Sequence, residues 1–136
     1  MRLKSGVKLL EEREGSGEPA KIGDQVVYNL KIYLNKGDEV PRNQRQTEFL
    51  PDKMIRHVDG DRLVDHQLVL GSREAIAGVE YALVGMRAES YRRVRVSPHL
   101  AYRDEGLGDL IPANAVLIIE LWLRKLVARC IEDKAN

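Results

Sequence analysis

Apolar and polar residues alternate along much of the chain, and the alternation marks strands. Val26, Tyr28, Leu30, Ile32 and Leu34 fall on one face of a segment whose other face carries Val27, Asn29, Lys31 and Tyr33. A period of two with one mostly apolar face is the pattern of a strand half-buried on a core. Asn35-Lys36-Gly37-Asp38 then supplies turn residues. Tyr91 to Val96 predicts a second strand, with Val94 and Val96 opposite Arg93 and Arg95, and Val116 to Leu126 a third, strongly apolar one. Shorter strands are expected at Val7 to Leu10 and at Leu68 to Leu70.

One segment changes period. Between Ser72 and Met86, Ala75, Val79, Ala82, Leu83 and Met86 recur at helical spacing. Ser72 has the side chain of an N-cap, and Gly85, free of a Cβ, suits a stop. Gly78 inside the stripe costs a helix about 1 kcal/mol relative to Ala, which predicts either close packing there or a late start. From Val40 to Asp65 no period is sustained; the stretch is rich in Arg, Asp, Asn and Gln and contains Pro41 and Pro51. An insertion at about 41–65 is expected there, mostly on the surface, in a single domain spanning 1–136. Met54 to Val58 and Leu63 to Leu68 around Asp59-Gly60-Asp61 have the form of an added hairpin. Several strands and one short helix make an α+β domain, an antiparallel sheet with a helix against one face.

Composition adds mainly exclusions. With 43% hydrophobic and 32% charged residues, 136 residues suffice for one core under a solvated surface. A formal net charge of +1 gives no global pull toward nucleic acid or anionic membrane, so neither is an expected partner. No apolar run approaches the roughly 20 residues of a membrane span. Met1-Arg2-Leu3-Lys4-Ser5-Gly6 has no apolar stretch behind it, so no secretory leader is expected. The one cysteine, Cys130, has no partner for an intramolecular disulfide. The expectation is a cytoplasmic monomer. His57, Asp59, Asp61, Asp65 and His66 have side chains that bind metals, but their spacing fits no standard zinc or calcium pattern. A solvated hairpin is expected there, with no metal and no cofactor. Gly106 and Gly108 do not open a helix after a strand, so they make no phosphate cradle.

Three stretches, in order, resemble the FKBP family of peptidyl-prolyl cis-trans isomerases. Pro19 to Tyr28 is similar to the family's turn and first long strand. Leu70-Gly71 with Ala75-Ile76-Ala77-Gly78-Val79-Glu80-Tyr81-Ala82-Leu83 is similar to its short helix and the approach to it. Ser97-Pro98-His99-Leu100-Ala101-Tyr102, then Gly106, then Leu110-Ile111-Pro112-Ala113-Asn114-Ala115 resembles its flap loop leading into the closing strand. The resemblance implies a twisted antiparallel sheet wrapped around one short helix, with an apolar pocket between them. It implies rotation about X-Pro bonds of peptides and proteins, with no cofactor.

Position by position, the resemblance makes Tyr102 the flap tyrosine whose hydroxyl donates to a substrate carbonyl, and thus the candidate catalytic residue. Ile76 matches the isoleucine whose backbone amide does the same, and Ile111 an apolar wall residue. Several other pocket positions depart from the family. Leu30 stands for a tyrosine, Val40-Pro41 for phenylalanine-aspartate, His66 for another aromatic, Val79 for the tryptophan floor, Leu107 for a histidine and Ile119 for a phenylalanine. Arg103 replaces the glycine that usually follows the flap tyrosine. Trp122 lies on the opposite strand phase from Leu117, Ile119 and Leu121 and does not replace the floor. The expected substrate surface, formed by Leu30, Val40, Ile76, Val79, Leu107, Ile111 and Ile119, is therefore an aliphatic dish. Two readings stay open: an isomerase with weak turnover, and a catalytically silent FKBP-like binding or chaperone module.

Overall fold

A computed structural model describes residues 5–40, 55–58, 61–73, 75–107 and 110–127, and in 55–58 and 61–62 the backbone alone. The elements in chain order are β1 (Val7–Arg13), β2 (Gln25–Leu34), β3 (Ile55–Val58), β4 (Asp61–Val64), β5 (His66–Val69), α1 (Ala77–Leu83), β6 (Ser90–Val96), a 3-10 turn (Pro98–Leu100) and β7 (Leu117–Val127). Five strands form one antiparallel sheet in the order β1-β6-β7-β2-β5, and β3 pairs with β4 as a separate hairpin. α1 packs across β1, β6 and β7.

The alternation in the sequence becomes two faces of this sheet. Leu117, Ile119, Leu121 and Leu123 of β7, Val94 and Val96 of β6 and Val26 and Tyr28 of β2 enclose Val79, Ala82 and Leu83 of the helix in one buried core. Two register shifts interrupt the strands. Leu10 is the extra residue of β1, lying between Leu9 opposite Val94 and Glu11 opposite Arg93. Arg124 is the extra residue of β7, between Leu123 opposite Tyr28 and Lys125 opposite Val27. A bulge advances a strand by one residue and so exchanges its faces beyond that point. After the first bulge Glu12, directly opposite Arg92, is turned to the helix side.

That phase change matters because Arg92 is buried on the core side, only 2% exposed. Its Nε donates to Glu12 Oε2 at 2.8 Å, and one terminal nitrogen donates to the carbonyls of Ala82 and Val84 at 2.9 and 3.0 Å. Buried charge is tolerated only when paired and hydrogen-bonded, and here the pairing also satisfies carbonyls at the end of the helix. At the other end, the carboxylate of Glu80 accepts from the amides of Gly71 at 2.8 Å and Ala75 at 3.4 Å. A helix of seven residues is marginal by itself in water. Side chains from the sheet and from the helix itself tie both ends.

The helix is shorter than the stripe from Ser72 to Met86. Ser72 is not its cap: Ile76 holds the N-cap position, with no side-chain cap, and the amide of Ser72 donates to Val69 O in a turn. Gly71 and Arg73 have left-handed backbones, with φ of 97° and 66°, which a right-handed helix cannot include. Gly78 faces β6 closely. A Cβ there would overlap Val96 Cγ1 and lie 3.1 Å from Val96 Cγ2 and 3.2 Å from Leu100 O.

The expected hairpin exists but is shorter on its second side, because β4 ends at Val64 and Leu68 belongs to β5, which pairs with β2. Residues 41–54 and 59–60 lie outside the described residues. The last part of the expected insertion is not a surface excursion: Leu63 is fully buried, and Asp65 is buried against the outer face of the sheet. Asn29 Nδ2 donates to Asp65 Oδ1 at 2.8 Å and to Val64 O at 2.9 Å, and Arg124 forms an ion pair with Asp65. Farther along that face, Glu120 accepts the hydroxyls of Tyr33 at 2.9 Å and Tyr91 at 2.7 Å, linking β2, β6 and β7.

Arg92→Ala leaves Glu12 unpaired and two carbonyls exposed to a cavity, so urea unfolding should show a loss of about 3 kcal/mol. Glu12→Gln should lose less. Gly78→Ala gains about 1 kcal/mol of helix propensity but overpacks against the rigid Val96. Its net effect should be a loss of about 1–2 kcal/mol in the same measurement.

Candidate active site

The sheet and helix draw most of the expected site residues into one hydrophobic cluster. Val79, Ile111, Ile119 and Val40 belong to the buried core, and Leu30, Ile76 and Tyr102 are partly buried against it. Leu30 sits mid-strand in β2 opposite Leu121, and Ile119 lies opposite both Ile32 and Val94. Val40 is drawn in beside them by its amide, which donates to Ile32 O at 2.8 Å. Leu107 differs: its side chain is 42% exposed, and its backbone, not its side chain, joins the assembly by a bridge to Ile111.

Tyr102 is carried by a loop that is laced to itself. The amide of Arg103 donates to Pro98 O at 2.9 Å, that of Gly106 to Tyr102 O at 3.0 Å and that of Asn114 to Arg103 O at 2.7 Å. Leu107 and Ile111 exchange a pair of backbone bonds, at 2.8 and 3.1 Å. Gly106, with φ of 65°, sits where a Cβ would lie 3.0 Å from Pro112 C and 3.1 Å from Ala113 N. Only glycine fits that close approach without displacing backbone. The loop therefore presents Tyr102 from a constrained frame.

Two hydrogen-bond donors belong to the partly buried residues packed against this cluster. The hydroxyl of Tyr102 donates to no acceptor among the described residues, and neither does the backbone amide of Ile76. Ile76 precedes the helix with φ of −60° and ψ of 148°, and its carbonyl, not its amide, enters the first helical turn by accepting from Val79 and Glu80. Burial pushes the Tyr102 hydroxyl above the ordinary tyrosine range, so it is a donor at neutral pH.

His66 stacks at a tilt on Tyr28, ring centroids 5.5 Å apart, and Asp65 is engaged by Asn29 and Arg124. The side chains of His57, Asp59 and Asp61 lie outside the described residues, as do Pro41 and Cys130.

A family model described as FKBP-type peptidyl-prolyl cis-trans isomerase matches residues 16–124. The chain belongs to the FKBP family. FK506-binding protein 1A of Neurospora crassa is 28% identical over 119 residues, covering 87% of this chain and 86% of that protein. Peptidyl-prolyl cis-trans isomerase FKBP9 of Mus musculus is 33% identical over 135 residues, covering 89% of this chain. The chain spans 24% of that relative and 17% of its Rattus norvegicus counterpart, which is 34% identical over 98 residues and matches 62% of this chain. The crystal structure of a peptidyl-prolyl cis-trans isomerase from Pseudomonas syringae pv. tomato superposes with a TM-score of 0.68 at 22% identity, over 92% of this chain and 78% of that one. That likeness shows the FKBP fold.

The sign of the pH linkage follows from the raised tyrosines. An unfolded tyrosine ionises near about pH 10, whereas Tyr102, Tyr33 and Tyr91 resist ionisation in the fold, all three chiefly through burial and the last two also through Glu120. Their contribution to stability is complete below about pH 10 and is lost as pH rises through the folded values. Urea midpoints should fall more steeply above about pH 10 in the parent than in Tyr33→Phe or Tyr91→Phe, which removes one such group.

Proposed function

We propose that this FKBP-family chain accelerates cis-trans isomerisation of X-Pro bonds in peptides and proteins, with turnover limited by the aliphatic walls of its site. The observation that supports this reading is a pair of donors with no acceptor among the described residues, Ile76 N–H and Tyr102 O–H, on residues packed against the hydrophobic cluster of Val40, Val79, Ile111 and Ile119. The barrier to rotation, about 18–20 kcal/mol, comes from amide resonance, which places charge on the carbonyl oxygen and nitrogen of the planar bond. An apolar surface disfavours that charge separation relative to the twisted amide. The two donors hold carbonyls of the substrate while the bond turns. No nucleophile or proton transfer takes part.

The replacement of aromatic walls by Leu30, Val79 and Ile119 supports the second reading, a binding module without turnover. Aromatic side chains bury roughly 150–250 Å² each, and the shorter aliphatic ones hold a proline ring less closely. NMR exchange spectroscopy on X-Pro peptides separates the two. Faster cis-trans exchange supports the enzyme; saturable binding without it supports the module.

If the chain is an isomerase, its rate enhancement should be flat from about pH 6 to 9, because Tyr102 stays protonated throughout. Tyr102→Phe should lower kcat/KM about fivefold, the value of one hydrogen bond of about 1 kcal/mol. Ile76→Pro suits the observed φ of −60° and deletes the amide donor. Exchange spectroscopy should show a larger loss for it than for Ile76→Val, with the circular dichroism of both unchanged.

A further inference from the structure

Beside the two donors lies a hollow of about 570 Å³, lined in part by Ile22, Arg73, Ala75, Ala77, Tyr81 and Arg103. Its walls are the segments that carry the donors. Ala75 and Ala77 flank Ile76, and Arg103 follows Tyr102. A peptide whose proline occupies the apolar surface would therefore pass its neighbouring residues over this hollow.

The hollow holds two unneutralised cations. Arg73 and Arg103 are both exposed, and among the described residues neither forms an ion pair or a side-chain hydrogen bond. Glu80 also lines the hollow, but its carboxylate already accepts from the amides of Gly71 and Ala75. Asp104 lines a second hollow together with Arg103, and among the described residues the two form no ion pair. Most other arginines of the sheet are engaged: Arg92 with Glu12, Arg93 with Glu11 and Arg124 with Asp65.

Both cations also stand on left-handed backbone, with φ of 66° at Arg73 and 55° at Arg103. That conformation favours glycine or asparagine, so the backbone does not select arginine at either position. Arginine presents a planar fork of donors that matches a carboxylate.

We propose that Arg73 and Arg103 form a subsite for the carboxylate of an Asp or Glu near the isomerised proline, so that acidic proline-containing segments are the preferred substrates. The assignment rests on the prolyl-binding reading above. An extended chain advances about 3.3 Å per residue, which places the acid within about three residues of the proline. Exposed pairs of this kind are modest, so the preference should amount to about three- to tenfold in Kd.

The test is a host peptide with one proline and alanine elsewhere, carrying Glu, Gln or Lys in turn at each of the three positions on either side. NMR titration gives Kd, and exchange spectroscopy gives the rate enhancement separately. At one or more positions Glu should bind about three- to tenfold more tightly than Gln, and Lys more weakly. The difference should shrink as salt rises from about 0.05 to 0.5 M. It should disappear in Arg73→Gln/Arg103→Gln, with the affinity for the alanine host unchanged. Equal Kd for Glu and Gln at every position, no binding by any Glu peptide, or a preference for Glu that survives in the double variant would overturn the subsite. A gain with phosphoserine but not with Glu would also overturn the carboxylate assignment. Failure of the isomerase reading looks different: no peptide, the alanine host included, exchanges faster, whatever its affinity.

Discussion

The guanidinium of Arg92, held by Glu12 and by the carbonyls of Ala82 and Val84, is the contact on which the arrangement of helix and sheet depends. A helix of two turns has too few internal bonds to stand alone, and its position decides where Ile76 and Val79 lie relative to β7. Hydrophobic packing supplies the driving force but little directionality. The charged contact supplies direction, because a buried cation accepts few alternative partners. The bulge at Leu10 decides which carboxylate meets it, since without the bulge Glu11 and not Glu12 would lie opposite Arg92.

The other face of the sheet carries its own polar layer. Glu120 gathers Tyr33 and Tyr91, the ring of Tyr91 packs beside Trp122 at 5.4 Å, and Arg13 lies 4.2 Å above that ring. Asp65 joins Asn29 to Arg124 where the chain returns from the hairpin into β5. Three of the six aromatic residues described, Tyr33, Tyr91 and Trp122, thus lie on the outer face. Of the chain's five tyrosines, Tyr33 and Tyr91 serve the outer layer, whereas Tyr28 lies in the core and Tyr81 and Tyr102 pack against it.

A site with aliphatic walls and two fixed donors shifts the burden of recognition. An aromatic box selects the proline ring by shape; a shallower apolar surface selects it less and leaves more of the discrimination to groups around it. Arg73 and Arg103, which form no ion pair among the described residues, fit that division. Charge at a rim steers encounter and discriminates among partners more than it adds affinity.

The five strands of the sheet, the presence of one short helix and the members of the apolar face were legible in the sequence, because alternation and helical spacing report directly which side chains face a common core. The motif around Tyr102 was legible too, as a resemblance between loops. Helix length was not: Ser72 has the side chain of a cap, but the left-handed turns at Gly71 and Arg73 place the first helical residue at Ala77. Nor was Arg92 legible as a core residue, although it lies two positions before Val94 on the same strand phase, since a cation in that phase reads as polar surface until a partner is brought across the sheet. The partner, Glu12, reaches that face only through a bulge that no alternation in β1 announces. The convergence of Arg73 with Arg103, 30 positions apart, is a product of chain folding alone. Local pattern determined which residues are strand, helix and core; register, bulges and the close approach of distant loops, set by packing in three dimensions, decided which charges meet.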